Sequence, residues 1–322
     1  MFTLAELEAA AQVVHAIMPA TPQYAWPLLR ERFGCEVWVK HENHTPTGAF
    51  KVRGGLTYVD ALAKSGRKVS GLISATRGNH GQSIAFAGGR FGLPVSIVVP
   101  NGNNPEKNAA MRALGAELIV HGQDFDEARH EASRLADERG LEYVPSFDPR
   151  LVVGVATFAL ELFRAVPDLD TVYVPIGMGS GVCGAILARD LLGLKARIVG
   201  VSAANAPANA LSFAAGRPIP TNSAATFADG MATREPHPQA VEIFCAGAAG
   251  VLTATDDEIA DAIRLLYEAT HNVAEGAGAA ALVALQLEHR ERGPAKRAII
   301  LSGGNIDRHS FAQVLSGRTP SA

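Results

Sequence analysis

The stretch Thr171-Val172-Tyr173-Val174-Pro175-Ile176-Gly177-Met178-Gly179-Ser180-Gly181-Val182-Cys183-Gly184 joins an apolar strand to a glycine-rich turn, and residues 185–192 continue as a helix. A strand that is apolar on both faces is typical of a parallel sheet covered by helices. Similar short apolar runs alternate with stretches of helical periodicity. The predicted strands are 71–74, 95–99, 117–120, 197–201 and 298–301, and the predicted helices include 81–90, 105–114, 125–139 and 256–270. The pattern predicts an α/β protein.

Composition narrows the classes of function. The chain has 322 residues, of which 48% are hydrophobic and 19% charged, and this length corresponds to about two domains. A net charge of −3 gives no electrostatic reason to bind nucleic acid or an anionic membrane. The sequence contains no apolar run long enough to span a bilayer, and its acidic N-terminus is unlike a signal peptide. Three separated cysteines suggest neither disulfides nor a zinc site, so we expect a cytoplasmic protein.

The glycine loop after the strand is a candidate anion site. Backbone N–H groups at a helix N-terminus attract anions, and glycines leave them accessible. A simple tight turn is the alternative interpretation. Gly179, Gly181 and Gly184 also match G-x-G-x-x-G, but a dinucleotide site needs an acidic residue near the end of the next strand. That strand ends Val201-Ser202-Ala203, so the loop favours a simpler phosphate.

Three further segments place polar groups beside predicted strand ends or helix starts, where ligands of open α/β sheets bind. They are residues 44–55 with Lys51, residues 74–83 and residues 301–305. Taken singly, each has an ordinary explanation. Lys51 alone would be read as a surface lysine, and Ser74, Thr76 or Asn79 as a helix cap.

Together, T-G-A-F-K-V-R-G at 47–54, R-G-N-H-G-Q at 77–82, G-M-G-S-G at 177–181 and L-S-G-G-N at 301–305 carry a resemblance. From about residue 21 to about residue 307 the chain resembles the serine/threonine dehydratase family of pyridoxal-phosphate enzymes, of fold type II (tryptophan-synthase β-like). The resemblance implies two three-layer αβα domains with mostly parallel sheets and the cofactor in the cleft between them.

The same resemblance implies how the domains are arranged. Residues 1–52 and 147–322 would form a large, discontinuous cofactor-binding domain, and residues 53–146 a small domain inserted into it. Closure of the small domain over the substrate would exclude water. The turn-rich segment 144–150 separates two groups of strands, as this division requires. A homo-oligomer, specifically a dimer, is expected.

The resemblance also assigns cofactor-binding residues. Lys51 would form the Schiff base with pyridoxal 5'-phosphate, because a lysine desolvated in a pocket can lose its proton. Phe50 would pack beside the ring, and Asn79 would hydrogen-bond the phenolic oxygen. Ser302 would face the pyridine nitrogen, where a neutral hydroxyl stabilises a pyridinium less than a carboxylate does. The phosphate would be held by the glycine loop, namely Gly177, Met178, Gly179, Ser180 and Gly181.

The implied reaction is α,β-elimination from a β-hydroxy amino acid such as L-threonine or L-serine, which yields a 2-oxo acid and ammonia. Lys51 would act as the catalytic residue by removing the Cα proton. The substrate carboxylate would bind the turn that precedes Asn79. The residues of this turn are Ser74, Ala75, Thr76, Arg77 and Gly78.

The chain departs from the family pattern at several positions. Arg77 stands where racemising relatives carry a serine, and an arginine cannot act as a base, so serine racemisation is not expected. Arg77 either binds a second carboxylate, as in 3-hydroxyaspartate, or points to solvent. Ser202 replaces the carboxylate that holds a divalent cation in many relatives, so no metal is predicted. The chain ends soon after Asn305, so no regulatory domain and no feedback by isoleucine are expected.

Other readings stay open. A hydroxyectoine-derived substrate or β-replacement would keep the cofactor, although the turn differs from that of cysteine synthases. A catalytically silent binding protein is a further alternative, against which the retained motif residues argue. Asp229 either lies near the active site or only shapes a turn. Glu275 favours a helix N-terminus. His80 is predicted to have a structural role.

Overall fold

The computed structural model describes residues 1–292 and 295–322, and its strands form two sheets. The six-stranded sheet has the order β1-β2-β10-β7-β8-β9, and the four-stranded sheet has the order β5-β4-β3-β6. The strands are β1 (Gln23–Ala25), β2 (Val37–His41), β3 (Leu72–Ala75), β4 (Val95–Val99), β5 (Glu117–Val120), β6 (Glu142–Tyr143), β7 (Thr171–Pro175), β8 (Arg197–Ala203), β9 (Gly250–Ala254) and β10 (Arg297–Leu301). All described pairings between them are parallel except β1 with β2.

Helices cover both faces of each sheet. They are α1 (Leu4–His15), α2 (Pro27–Phe33), α3 (Lys51–Lys64), α4 (Asn79–Arg90), α5 (Pro105–Ala113), α6 (Phe125–Arg139), α7 (Pro149–Val155), α8 (Thr157–Ala165), α9 (Ser180–Leu191), α10 (Ala208–Ala215), α11 (Pro238–Gly247), α12 (Asp256–Thr270), α13 (Gly276–Arg292) and α14 (Arg308–Leu315). Residues Asp229–Met231 form a 3₁₀ turn.

The alternation of side chains along the strands creates these layers. In β7, Tyr173 packs into a buried cluster with α12 and α13, while Val172 and Val174 pack into another with α8 and α9. Neighbouring residues of the four-stranded sheet also face opposite helices. Leu72 packs toward α3 and α4, and Ile73 packs toward α6. Each sheet is therefore the middle of a three-layer αβα sandwich, which confirms the predicted α/β class.

Close packing of α13 on the large sheet depends on its small residues. Ala279, Ala280 and Ala281 are fully buried. A Cβ on Gly278 would lie 2.2 Å from the backbone oxygen of Gly303. This contact places the start of α13 directly against the segment that follows β10, at one end of the sheet.

The predicted strands and helices lie within a few residues of those observed, with two kinds of difference. The predictions for 95–99, 117–120 and 171–175 match their strands, whereas β1, β2, β6 and β9 were not predicted. The segment 204–226 is rich in Pro, Asn and Ala, which predicts a long loop, but it contains α10, so this prediction is wrong. Its helix packs on β8, β9 and α11, a tertiary support that composition does not reveal. Among the described helices, none has the length and apolarity needed to cross a membrane.

Candidate active site

A cavity of about 400 Å³ lies between the two sheets, at the carboxyl ends of their strands. Parallel strands deliver the residues that follow them to one edge, so motifs distant in sequence meet there. Thr76 follows β3, Gly177 follows β7 and Ser302 follows β10. The predicted residues that line the cavity are Phe50, Lys51, Thr76, Arg77, Gly78, Asn79, Gly177, Met178, Gly179, Ser180, Gly181 and Ser302.

Lys51 is the first residue of α3 and points into this cavity. Its Nζ donates a hydrogen bond to Ser180 Oγ at 2.9 Å and lies 5.1 Å from the centre of the Phe50 ring. Burial lowers the pKa of Lys51 to about 8, because the charged ammonium loses hydration there. Roughly a fifth of this amine is therefore neutral near physiological pH, far more than for an ordinary lysine, and this fraction can act as a nucleophile or base.

The glycine loop faces Lys51 across the cavity. Gly179 has a φ of 98°, which a residue with a side chain rarely adopts. A Cβ on Gly177 would lie 2.2 Å from the backbone oxygen of Gly230, so glycine is required by close approach. The loop leads into the 12-residue helix α9, whose first N–H groups have no acceptor within the helix. This arrangement can hold a phosphate.

Asn79, at the start of α4, has its amide orientation set by two neighbours. Its Nδ2 donates to Glu275 Oε1 at 2.5 Å, and its Oδ1 accepts from Asn305 Nδ2 at 2.8 Å. An amide nitrogen carries two hydrogens, so one remains free for a ligand. Asn79 can therefore present a donor of fixed direction to the cavity.

Ser302 and Phe50 are linked through the backbone. Phe50 N donates to the carbonyl oxygen of Ser302 at 3.0 Å, and Ala49 bridges to Gly303. Ser302 is 3% exposed. The end of β10 and the segment before Lys51 are thus held together, which brings a neutral hydroxyl into the wall near the lysine.

The turn predicted to bind the substrate carboxylate is only partly in the cavity wall. Thr76, Arg77 and Gly78 line it, and Thr76 Oγ1 accepts a hydrogen bond from Gly78 N at 2.9 Å. Ser74 and Ala75 instead belong to β3 and lie outside the lining, with Ser74 Oγ donating to Val144 O at 2.7 Å. For Ser74 and Ala75, the prediction that they bind the substrate carboxylate can therefore concern only their backbone atoms.

Sequence reasoning missed a buried ion-pair cluster beside Asn79. Lys107 Nζ lies 2.6 Å from Asp229 Oδ2 and 3.4 Å from Glu275 Oε2. Burial alone would lower the pKa of Lys107, but Asp229 and Glu275 raise it above its ordinary value. Burial raises the pKa of Glu275, which Lys107 opposes. Glu275 does precede a helix, as predicted, yet it also contacts Asn79, and no local pattern signals that contact.

His80 also lines the cavity, but its environment favours the neutral ring. Burial, together with the charge of Lys51, lowers the pKa of His80 to about 3. Its Nε2 lies 3.5 Å from Val144 O. Such a histidine carries no charge at neutral pH, as expected for the structural role predicted for it.

The residues of the cavity fit pyridoxal phosphate as a group. They provide a partly neutral lysine amine, a glycine loop at a helix N-terminus, an oriented amide donor and a neutral hydroxyl. Within the described residues, no group of three or more His, Cys, Asp and Glu side chains is arranged to hold a metal ion.

Comparisons with known proteins show which proteins this chain is similar to. A family model described as "Pyridoxal-phosphate dependent enzyme" matches residues 17–303. The L-threonine ammonia-lyase of Thermotoga maritima is 33% identical over 317 residues, which covers 98% of this chain and 79% of that protein. The crystal structure of the threonine deaminase from T.th. has a TM-score of 0.88 at 32% identity, covering 95% of this chain and 99% of that one. Maize serine racemase has a TM-score of 0.90 at 26% identity, covering 98% and 97%.

Proposed function

This chain belongs to the pyridoxal-phosphate-dependent enzyme family, and we propose that it eliminates water from a β-hydroxy amino acid such as L-threonine or L-serine. The products are a 2-oxo acid and ammonia. The observation that carries this proposal is Lys51, a lysine with a lowered pKa that faces the glycine loop. Relatives named as L-threonine ammonia-lyases and threonine deaminases support the choice of substrate.

When bound, pyridoxal phosphate supplies an electron-withdrawing ring that stabilises the negative charge left at Cα after proton removal. The backbone donors of residues 177–181 would hold its phosphate, and Lys51 would hold its aldehyde carbon. Asn79 would orient the ring through its free amide hydrogen. Ser302 would offer the ring nitrogen a hydroxyl, which balances a positive charge there less well than a carboxylate does.

Lys51 would have a second task as the general base. In its neutral form, its Nζ would take the proton from Cα. Thr76 and Gly78 present the turn that receives the substrate carboxylate, and this turn is braced by their own hydrogen bond. The cavity walls limit water around Lys51, which strengthens each of these polar interactions.

Replacement of Lys51 tests the assignment. In Lys51→Ala, release of 2-oxo acid and ammonia from L-threonine and L-serine should fall by about 10²–10⁴-fold or more, because both the anchor and the base are lost. The visible absorbance of the bound cofactor should disappear as well. Lys64→Ala, at the exposed end of the same helix, serves as the control and should keep both.

Two outcomes would contradict the proposal. Full activity in Lys51→Ala would exclude Lys51 as the base. A wild-type protein that consumes serine only when sulfide is added would indicate β-replacement instead of elimination.

We also propose that the protein forms a homodimer and is located in the cytoplasm. Both assignments rest on the family resemblance, and the small-molecule substrate is part of the same proposal. Sedimentation velocity of the purified holoenzyme tests the dimer, which a monomer at micromolar concentration would exclude. Fractionation of the source cells tests the location.

A further inference from the structure

The charges in the cavity wall are almost completely paired. Five acidic and five basic side chains of the described chain line the cavity. Three of the bases contact all five acids, so every acid has a cationic partner, although three positive charges do not balance five negative ones. The pairs are Lys107 with Asp229 and Glu275, Arg129 with Asp126 and Glu235, and Arg234 with Asp124 and Asp126.

The two remaining bases are Lys51 and Arg77. Lys51 is hydrogen-bonded to the Ser180 hydroxyl and is already committed to the cofactor by the proposed function. Arg77 is exposed in the cavity wall and forms no ion pair or hydrogen bond with any residue that the structure describes. Among the described residues that line the cavity, the guanidinium of Arg77 is therefore the one cation that neither a protein acid nor the proposed chemistry uses.

Asp124 interacts electrostatically with Arg77 but is paired with another arginine. The pKa of Asp124 is lowered mainly by the backbone N–H of Glu127, with smaller contributions from the charges of Arg234 and Arg77. Asp124 Oδ2 lies 3.1 Å from Arg234 Nη2, so its contact is with that arginine. Arg77 interacts with the Asp124 carboxylate only through longer-range electrostatics, without a direct contact.

Other groups of the cavity are suited to the remaining anions. In the proposed function, the phosphate would use the glycine loop and the start of α9, and the α-carboxylate the turn at residues 76–78. Neither role needs the guanidinium of Arg77, so this side chain is available for a different anion. A guanidinium matches a carboxylate through two parallel hydrogen bonds.

We propose that Arg77 forms a subsite for a second anionic group, so that the preferred substrate is a β-hydroxy amino acid with a side-chain carboxylate. This inference rests on the proposed function and names its substrate class. For 3-hydroxyaspartate, the Cα–H and Cβ–O bonds break, water leaves and a Cα=Cβ bond forms. Tautomerisation and addition of water then release ammonia and a four-carbon 2-oxo diacid, with no oxidant or reductant required.

The first test compares substrates that differ in the second carboxylate. Wild-type holoenzyme should show a higher kcat/KM for threo-3-hydroxyaspartate than for L-threonine. In Arg77→Ala, kcat/KM for 3-hydroxyaspartate should fall about 10- to 100-fold, the value of one charge-assisted pair, and that for threonine less than about 3-fold. Arg129→Ala removes a paired arginine from the same wall and is the matched control, which should leave the ratio of the two substrates unchanged.

The second test measures binding without elimination. L-Aspartate and L-2-aminobutyrate lack the β-hydroxyl and differ by a carboxylate in place of a methyl group. Calorimetric titration of the holoenzyme should give tighter binding of aspartate, and Arg77→Ala should abolish that advantage while 2-aminobutyrate binds as before.

The outcomes separate this inference from the proposed function. Equal losses for both substrates in Arg77→Ala would place the α-carboxylate on Arg77 and overturn the second subsite. An unchanged kcat/KM for both substrates in Arg77→Ala would mean that the Arg77 side chain contacts only solvent, and this result would also overturn the second subsite. If wild type eliminates none of the β-hydroxy amino acids, the proposed function fails, and the aspartate titration still decides whether the subsite exists.

Discussion

Two lysines in one cavity acquire opposite properties from their neighbours. Lys51 bonds to the Ser180 hydroxyl, and burial lowers its pKa to about 8. Lys107 is also buried, but the carboxylates of Asp229 and Glu275 outweigh burial and raise its pKa. The first lysine is thereby suited to chemistry and the second to holding charge, although the residue type is the same.

The lowered pKa predicts how covalent cofactor attachment depends on pH. Only the neutral amine attacks an aldehyde, and Lys51 changes from charged to neutral as the pH rises through about 8. The rate at which cofactor-free enzyme takes up pyridoxal phosphate should therefore rise with a midpoint near pH 8 and level off roughly one pH unit or more above it. Stopped-flow absorbance measures this rate. A midpoint near the ordinary lysine value of 10.5 would show that Lys51 is not desolvated.

At the scale of elements, a buried ion network fixes the first turn of α3, which begins with Lys51. Arg53 Nε lies 2.7 Å from Glu42 Oε2, and its Nη1 lies 2.6 Å from Glu161 Oε1. Lys40 Nζ lies 2.6 Å from Glu161 Oε2. These side chains join α3 to the end of β2 and to α8. Buried charges are tolerated because nearly every polar group has a partner, so removing one partner is costly.

Glu161→Gln tests this network. The change leaves two buried cations with less compensation and should lower the free energy of unfolding by about 3–5 kcal/mol, measured in urea at pH 7. The exposed Glu138→Gln is the control and should change it by less than about 0.5 kcal/mol. An unchanged midpoint in Glu161→Gln would mean that the pairs contribute no net stability.

Glu161 should also contribute to the loss of folding stability at acidic pH. Burial would raise the pKa of Glu161, but Arg53 and Lys40 lower it to about 2. A carboxyl whose pKa is lower in the folded state contributes stability above its unfolded value, near 4.5, and loses it as the pH falls toward 2. Wild type should therefore lose stability across this range more steeply than Glu161→Gln.

At the scale of the whole molecule, ion pairs connect the two sheets across the cavity. Lys107 of α5 reaches Asp229 and Glu275 beside the large sheet, and Asn104 Nδ2 donates to Asp307 Oδ2 at 3.0 Å. On the other side, Arg234 pairs with Asp126 of α6. The cavity is thus spanned by polar contacts on two sides, and these contacts must break for the sheets to separate.

Lys107→Met should loosen this connection. It leaves the buried Glu275 and the partly exposed Asp229 without their cation, so amide hydrogen exchange in α5 and around Asp229–Met231 should accelerate, while exchange in β7 stays as in wild type. The control is Lys68→Met, at an exposed position remote from the cavity lining. Exchange that accelerates equally everywhere would indicate global destabilisation instead of a local link between the sheets.

The division into residues 1–52 with 147–322 and residues 53–146 stays a proposal. All strands of the four-stranded sheet fall within the predicted small domain. Val14 and Met18 near the N-terminus nevertheless share a buried cluster with that sheet. A contact between segments so distant in sequence has no local signal, which explains why the boundary is less predictable than the strands.

Local patterns were sufficient for much of the fold. Strands such as β4, β5 and β7 were predictable because they are short apolar runs bounded by turn residues. α10 was not, because its segment resembles a loop and packing on neighbouring strands and helices decides its conformation. β1 has only three residues and one pairing partner, too little for a periodic pattern.

By itself, the sequence determined the α/β class, the glycine loop and the set of motifs that includes Lys51, Asn79 and Ser302. These depend on residue types at short spacings, so they are visible in the linear chain. Only the tertiary structure decided which charges are paired. Lys107 pairs with Asp229 and Glu275, which lie 122 and 168 residues further along the sequence. Arg77 forms no ion pair with any residue of the described chain. Protonation and pairing depend on distance in space, because electrostatic energy falls with separation and rises with burial.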